Sequence, residues 1–202
     1  MNDLLNQFEV WMADTDPNDG IIDSITEFCD NHEGFDWGSG VTRVAIWHKS
    51  WDFVIKISRG DYDTDYCEAE VQHYERAKFY KVDRICLPIE LYITLSNGIK
   101  LYKQTRYSFD TNSMYHQDYD TYLRKRNCTG EHHMTYRIKN DCNWLCRADR
   151  KWLERVIQLY GKKFARSMEM WLEENRINDL HNCNTGWLNG RPILLDYAGF
   201  HD

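Results

Sequence analysis

Nowhere in its 202 residues does the chain carry an apolar run of about 18 residues, the length a helix needs to cross a bilayer. It also lacks the basic and then apolar opening of a secretory signal, since its first residues, "MNDLLNQFEVWMADTD", are acidic and amphipathic. Positive charge is in deficit: the net charge is −7 at pH 7, whereas non-specific nucleic-acid binding requires a basic face. Internal repeats and low-complexity tracts are missing. The seven cysteines are an odd number and widely scattered, and without an export signal they read as reduced thiols. These absences set the expectation of a cytoplasmic protein that binds neither nucleic acid nor a membrane, though a local basic cleft for phosphate remains compatible with them.

What is present is enough apolar mass for a core. Hydrophobic residues make up 42% of the chain and aromatics 14%, which argues against intrinsic disorder. The length suits one domain or two small lobes sharing a cleft. Residues 1–32 read as one or two short helices broken at "DPNDG", with Ser24 and Glu27 as a capping box. Residues 34–58, rich in β-branched and aromatic side chains, read as two strands around a glycine turn and a third strand at about 52–58. Residues 65–80 have a helical period, with Cys67, Val71, Tyr74 and Lys78 on one face and Glu70 on that same inward stripe. Residues 88–106 form a hairpin about Asn97-Gly98. The first half is thus an antiparallel sheet of about five strands with one inserted helix.

Residues 107–147 are irregular and polar. From about 149 to 175 a helix is expected, broken at Gly161. A second hairpin pairs Trp187-Leu188 with Ile193-Leu194-Leu195 around Asn189-Gly190.

Certain residues in this frame carry chemistry. Asp179 and Asn184 lie five apart on a loop after a helix, and the second hairpin folds Asp196 back towards them. One amide and two carboxylates suit Mg²⁺, which takes few protein ligands and completes its shell with water and phosphate oxygens. "GSG" at 38–40 lies between two strands, where its backbone could approach a phosphate. Lys56 sits in "FVIKIS" among apolar neighbours. A lysine buried there needs an anion, and Glu70 is the natural one.

In the order "GSGVTRVAI", "VIK", "EAEVQHY", "DLHNCN", "DYAG", the chain resembles the protein-kinase-like superfamily over roughly residues 34–200. Its "DLHxxN" form is similar to the aminoglycoside-phosphotransferase-like branch and to small phage-encoded Ser/Thr/Tyr kinases. The resemblance implies a two-lobed α+β fold. Residues 1–105 would form an N-lobe with an N-terminal helical extension, and 106–202 a reduced C-lobe, with ATP and Mg²⁺ in the cleft. It implies that Gly38 and Gly40 cover the ATP phosphates and that Lys56, fixed by Glu70, holds the α- and β-phosphates. Asp179 would accept the proton of the attacking hydroxyl, and Asn184 and Asp196 would bind Mg²⁺. The expected activity is transfer of the γ-phosphate to a hydroxyl on a protein, as by a phage kinase acting on host proteins, with a homodimer as a further expectation. The alternatives are a small-molecule phosphotransferase and a catalytically silent pseudokinase that grips a protein partner.

Plainer readings stand beside each residue. Lys56 could be a solvated edge-strand lysine. Glu70 could be a surface charge, with Glu68 the rival for its role. Asp179 and Asn184 could simply shape turns, and Gly38 and Gly40 an ordinary hairpin. His181 reads as a backbone support and Cys183 as a small buried filler. Cys128, His132, His133, Cys142 and Cys146 could hold a structural zinc. The chain also departs from the family pattern. Arg43 stands where the third glycine of the phosphate loop would be, and Asp196-Tyr197-Ala198-Gly199 replaces Asp-Phe-Gly. Only six residues follow Asp196, so no activation segment is expected.

Overall fold

The structure, a computed structural model, describes residues 2–18, 20–60, 63–106, 150–177, 180 and 184–198. It divides into two compact units, Met1–Glu75 with Pro88–Arg106, and Arg76–Leu87 with Tyr107–Asp202. The class is α+β, with four helices, a five-stranded antiparallel sheet and a separate two-stranded hairpin among the described residues. None of the described helices is long and apolar enough to cross a membrane.

The first unit opens with α1 (Asn2–Ala13) and α2 (Ile21–Asn31), followed by β1 (Phe35–Ser39), β2 (Arg43–His48) and β3 (Phe53–Ser58). Helix α3 (Tyr66–Tyr80) comes next, with the division between units inside it, and then β4 (Ile89–Thr94) and β5 (Lys100–Thr105). The strand order is β1-β2-β3-β5-β4, so β3 is central and β1 and β4 are the edges. Alternation does the sorting here. In β2 and β3 every second side chain is buried, and Val44, Ile46, Phe53, Ile55 and Ile57 join Leu5, Phe8, Met12, Ile25 and Phe28 of the two helices in one apolar core. The intervening residues of β3, Lys56 among them, point to the opposite face.

The turn chemistry ties these layers together. The Asn97 side-chain amide donates to the carbonyls of Met12 (2.8 Å) and Thr15 (2.7 Å), so the β4–β5 turn closes the end of α1. Gly34 enters β1 at φ +90°, and a Cβ there would sit 2.6 Å from His48 Nε2. Both the backbone angle and the close ring call for glycine at that position.

Two expectations about the helices need correction. Ser24 does not cap α2, which begins at Ile21 with Gly20 as its N-cap. Instead the Ser24 hydroxyl accepts from the Trp11 indole N–H at 2.8 Å and shares a 2.6 Å hydrogen bond with Thr15. Cross-helix partners thus claim the oxygen that a capping box would use. In α3 the buried stripe is Cys67, Glu70, His73 and Ala77, whereas Lys78 is exposed and Val71 and Tyr74 are only half-buried. Polar contacts of Glu70, not apolar periodicity, decide which face turns inward.

In the second unit, α4 (Arg150–Glu174) is interrupted at Gly161, whose φ of 84° and ψ of 166° lie outside the helical region. It carries the buried residues Trp152, Val156, Met168 and Trp171. β6 (Thr185–Leu188) and β7 (Arg191–Leu194) form the hairpin, but Trp187 and Leu188 pair with Pro192 and Arg191 rather than with the expected Ile193-Leu194-Leu195, because the two-residue turn at Asn189-Gly190 sets the register. The Arg76 guanidinium donates to Asn175 Oδ1 at 2.7 Å, and the Tyr80 hydroxyl donates to Glu174. These bonds join the last turn of α3 to the end of α4.

Candidate functional site

Lys56 lies on the central strand, with its side chain only 12% exposed, so it is not a solvated edge lysine. Its Nζ donates to Glu70 Oε2 at 2.9 Å and to Oε1 at 3.1 Å. Glu70 is completely buried on α3. Two further donors reach the same carboxylate: Arg43 Nη1 to Oε2 at 3.0 Å and Gln104 Nε2 to Oε1 at 3.2 Å. An ionised carboxylate has about four lone-pair sites, and these four contacts match them. A buried charge is tolerable only when it is paired and hydrogen-bonded in this way.

Register explains the convergence. Lys56 is paired with Ala45 of β2 and with Tyr102 of β5. Arg43 and Gln104 each lie two residues along from those partners, and therefore on the same face. Arg43 appears in the sequence only as a missing glycine, and Gln104 not at all. The signal that could have found them is strand register, which spacing along the chain does not reveal.

A second polar group borders the first. The Asp65 carboxylate accepts from Ser58 Oγ (2.6 Å), Tyr102 Oη (2.7 Å) and the backbone N–H groups of Cys67 (3.1 Å) and Glu68 (3.0 Å). Asp65 is therefore the N-cap of α3. Burial alone would raise its carboxyl, but the hydroxyls of Ser58 and Tyr102, the Glu68 N–H and the Lys100 charge outweigh burial and hold it below the ordinary 3.8. Tyr102 is pushed up by burial and by Asp65, so its hydroxyl stays protonated and donates. Glu68, the rival for the role of Glu70, instead accepts from Tyr102 (3.1 Å) and Lys100 (3.2 Å) and is more than a third exposed. Cys67 is raised to about 12 by burial, which leaves it a thiol and no nucleophile at neutral pH.

Asp65→Ala should cost about 1 kcal/mol of stability at pH 7, the usual size of an N-cap loss. Because the folded carboxyl titrates below its unfolded value, this stabilisation is present above pH 3.8 and is lost as pH falls through the folded value. Urea denaturation of both proteins from pH 7 to pH 3 should show the difference constant down to about pH 4 and shrinking below it.

The expected place of Gly38-Ser39-Gly40 between two strands needs correction: Gly38 and Ser39 belong to β1, paired with Ala45 and Val44, and only Gly40 lies in the turn, where its N–H donates to the Arg43 carbonyl at 2.8 Å. Among the described residues nothing comes within 3.8 Å of a Cβ built at either glycine, so internal crowding does not require glycine there.

The second unit holds Asn184 and Asp196. Asn189 at φ 51° and Gly190 at φ 72° make a two-residue turn of the type that matches hairpin twist. The Leu195 N–H donates to the Asn184 carbonyl at 2.9 Å, so the hairpin brings residues 184 and 195 together and Asp196 follows directly. The hairpin is fixed from outside. Trp152 Nε1 donates to the Gly186 carbonyl (3.2 Å), the Leu87 N–H to the Leu194 carbonyl (3.1 Å), and Tyr197 Oη to the Leu87 carbonyl (2.6 Å). Asn184 is buried, and Asp196 Oδ1 accepts from the Ala198 N–H at 3.4 Å. An amide and a carboxylate are hard oxygen donors, a set that fits Mg²⁺.

Asp179, His181 and Cys183 lie outside the described residues, as do Cys128, His132, His133, Cys142 and Cys146 of the zinc expectation. Among the described residues no group of three or more His, Cys, Asp or Glu side chains could hold a metal ion. A recess of about 140 Å³, lined by Asn18, Ile22, Arg59 and their neighbours, contains none of the candidate residues.

Scanned against protein-family models, curated proteins and solved structures, the chain has no match in any of the three.

Proposed function

We propose that the chain is a minimal kinase-like phosphotransferase that moves the γ-phosphate of ATP to a hydroxyl on a protein. The observation that carries this reading is the Lys56–Glu70 pair. A lysine on the third strand of an antiparallel sheet is held at 2.9 Å by a buried glutamate on the helix that follows. Protein kinases use a third-strand lysine and a helix glutamate in this way to hold ATP phosphates. In this reading Lys56 holds the α- and β-phosphates, Glu70 orients it, and Gly38 at the end of β1 and Gly40 in the turn cover the phosphates. Asp179 accepts the hydroxyl proton, and Asn184 and Asp196 hold Mg²⁺. When bound, Mg²⁺ neutralises charge developing on the phosphate oxygens. Phosphoryl transfer needs mainly positioning and charge stabilisation, and these few residues can supply both. A phage kinase with host proteins as acceptors is the form of this reading that the sequence resemblance favours.

The test is transfer of γ-labelled phosphate from Mg·ATP by purified protein in a bacterial lysate, with Asp179→Ala alongside. Labelled protein bands should appear with the wild type and fall by about 100-fold or more with the variant. Label confined to small molecules would mean a small-molecule phosphotransferase. No label above that of a folded variant would sink the catalytic reading and leave the partner-gripping one.

A further inference from the structure

We infer that Arg43 is a positioning residue that ties the phosphate-covering turn to α3 through Glu70. The role of that turn rests on the proposed nucleotide site, but the tie itself does not. Arg43 closes the turn, because its carbonyl accepts the Gly40 N–H at 2.8 Å. It also opens β2, paired with Ser58, while the Arg59 N–H donates to the neighbouring Thr42 carbonyl at 2.9 Å. Its side chain, 13% exposed, turns inward and donates from Nη1 to Glu70 Oε2 at 3.0 Å. Lys56 Nζ reaches that same oxygen at 2.9 Å. One oxygen atom is therefore the junction of the turn, the strand lysine and the helix.

A glycine turn without side-chain anchors is free to sample many conformations, and a third glycine would add to that freedom. Here the third-glycine position carries a long, planar, permanently charged side chain instead. It fixes the turn's closing residue to a buried carboxylate. Any displacement of Glu70 then moves both the lysine and the turn, so nucleotide contacts on the two are lost or gained together. The turn is preorganised, and less ordering is left for a ligand to impose.

Amide hydrogen exchange on the intact, nucleotide-free protein tests this directly. In Arg43→Ala the Gly40 amide should exchange about tenfold faster, the size of one hydrogen bond to a charged group. The Ile55 and Leu101 amides of the sheet core, which exchange through global opening, report the accompanying loss of stability. Arg43→Gln, which keeps a side-chain N–H but not the charge, should fall between the two and serves if the alanine variant does not fold. Mg·ATP affinity, measured on the same proteins by calorimetry, should weaken about tenfold in Arg43→Ala. Unchanged Gly40 exchange in both folded variants would overturn the inference, whatever the nucleotide result. Faster Gly40 exchange in a protein whose wild type binds no nucleotide would leave the tie standing and remove the proposed site.

Discussion

Glu70→Gln should lower folding stability by about 3–5 kcal/mol, the range seen when one partner of a buried ion pair is removed. The side chain is fully buried, and both Lys56 and Arg43 donate to it. Glutamine keeps the size but removes the charge, and its NH₂ group would face cations where an oxygen now accepts. The carboxylate is also the place where α3 is held against β2, β3 and β5, through Arg43, Lys56 and Gln104 respectively. The effect should appear as a lower urea midpoint at pH 7. Glu68→Gln is the matched control. Its side chain is 37% exposed, and pairs of that kind are worth about 0–1 kcal/mol. If the two variants lose the same amount, burial is not what makes Glu70 important.

Phe28→Ala should be as costly, about 3–5 kcal/mol, by loss of transfer free energy and creation of a cavity. Phe28 is fully buried where α1, α2 and the sheet meet. The rings of Phe8 and Phe35 lie edge-on at 5.1 and 4.9 Å, and the His32 ring stacks on it at 4.0 Å. No single neighbour can collapse into that space without giving up its own contact. Thermal unfolding would report the loss as a lower midpoint. Phe79→Ala, at an 82% exposed position, should stay within about 0.5 kcal/mol of the wild type. A small effect at Phe28 would mean that the two N-terminal helices are not integral to the first unit.

Local signals account for much of the fold. Asn97-Gly98 and Asn189-Gly190 mark both hairpins because their turn conformations suit few other residue pairs. Gly161 marks the break in α4. Lys56 and Glu70 were legible together because a charge inside each apolar pattern demands an opposite charge nearby. What sequence could not show depends on contacts distant along the chain. Ser24 is turned from a cap into a bridge by Trp11, thirteen residues earlier. The inward face of α3 is chosen by donors on three strands, one of them Gln104, thirty-four residues from Glu70. Arg43 looks like a defect in a glycine pattern until strand register sets it beside Lys56. Asp65 gives no sign in the sequence that one carboxylate would both cap α3 and hold Ser58 and Tyr102.

Calorimetric titration of Mg·ATP into the intact protein, with Lys56→Met alongside, tests the proposal that the Lys56–Glu70 pair forms a nucleotide phosphate site. Saturable binding to the wild type is expected, with an affinity about tenfold or more weaker in a folded Lys56→Met, the loss of one hydrogen bond to a charged group. Absence of binding to the wild type, or equal affinity in the two proteins, would contradict it.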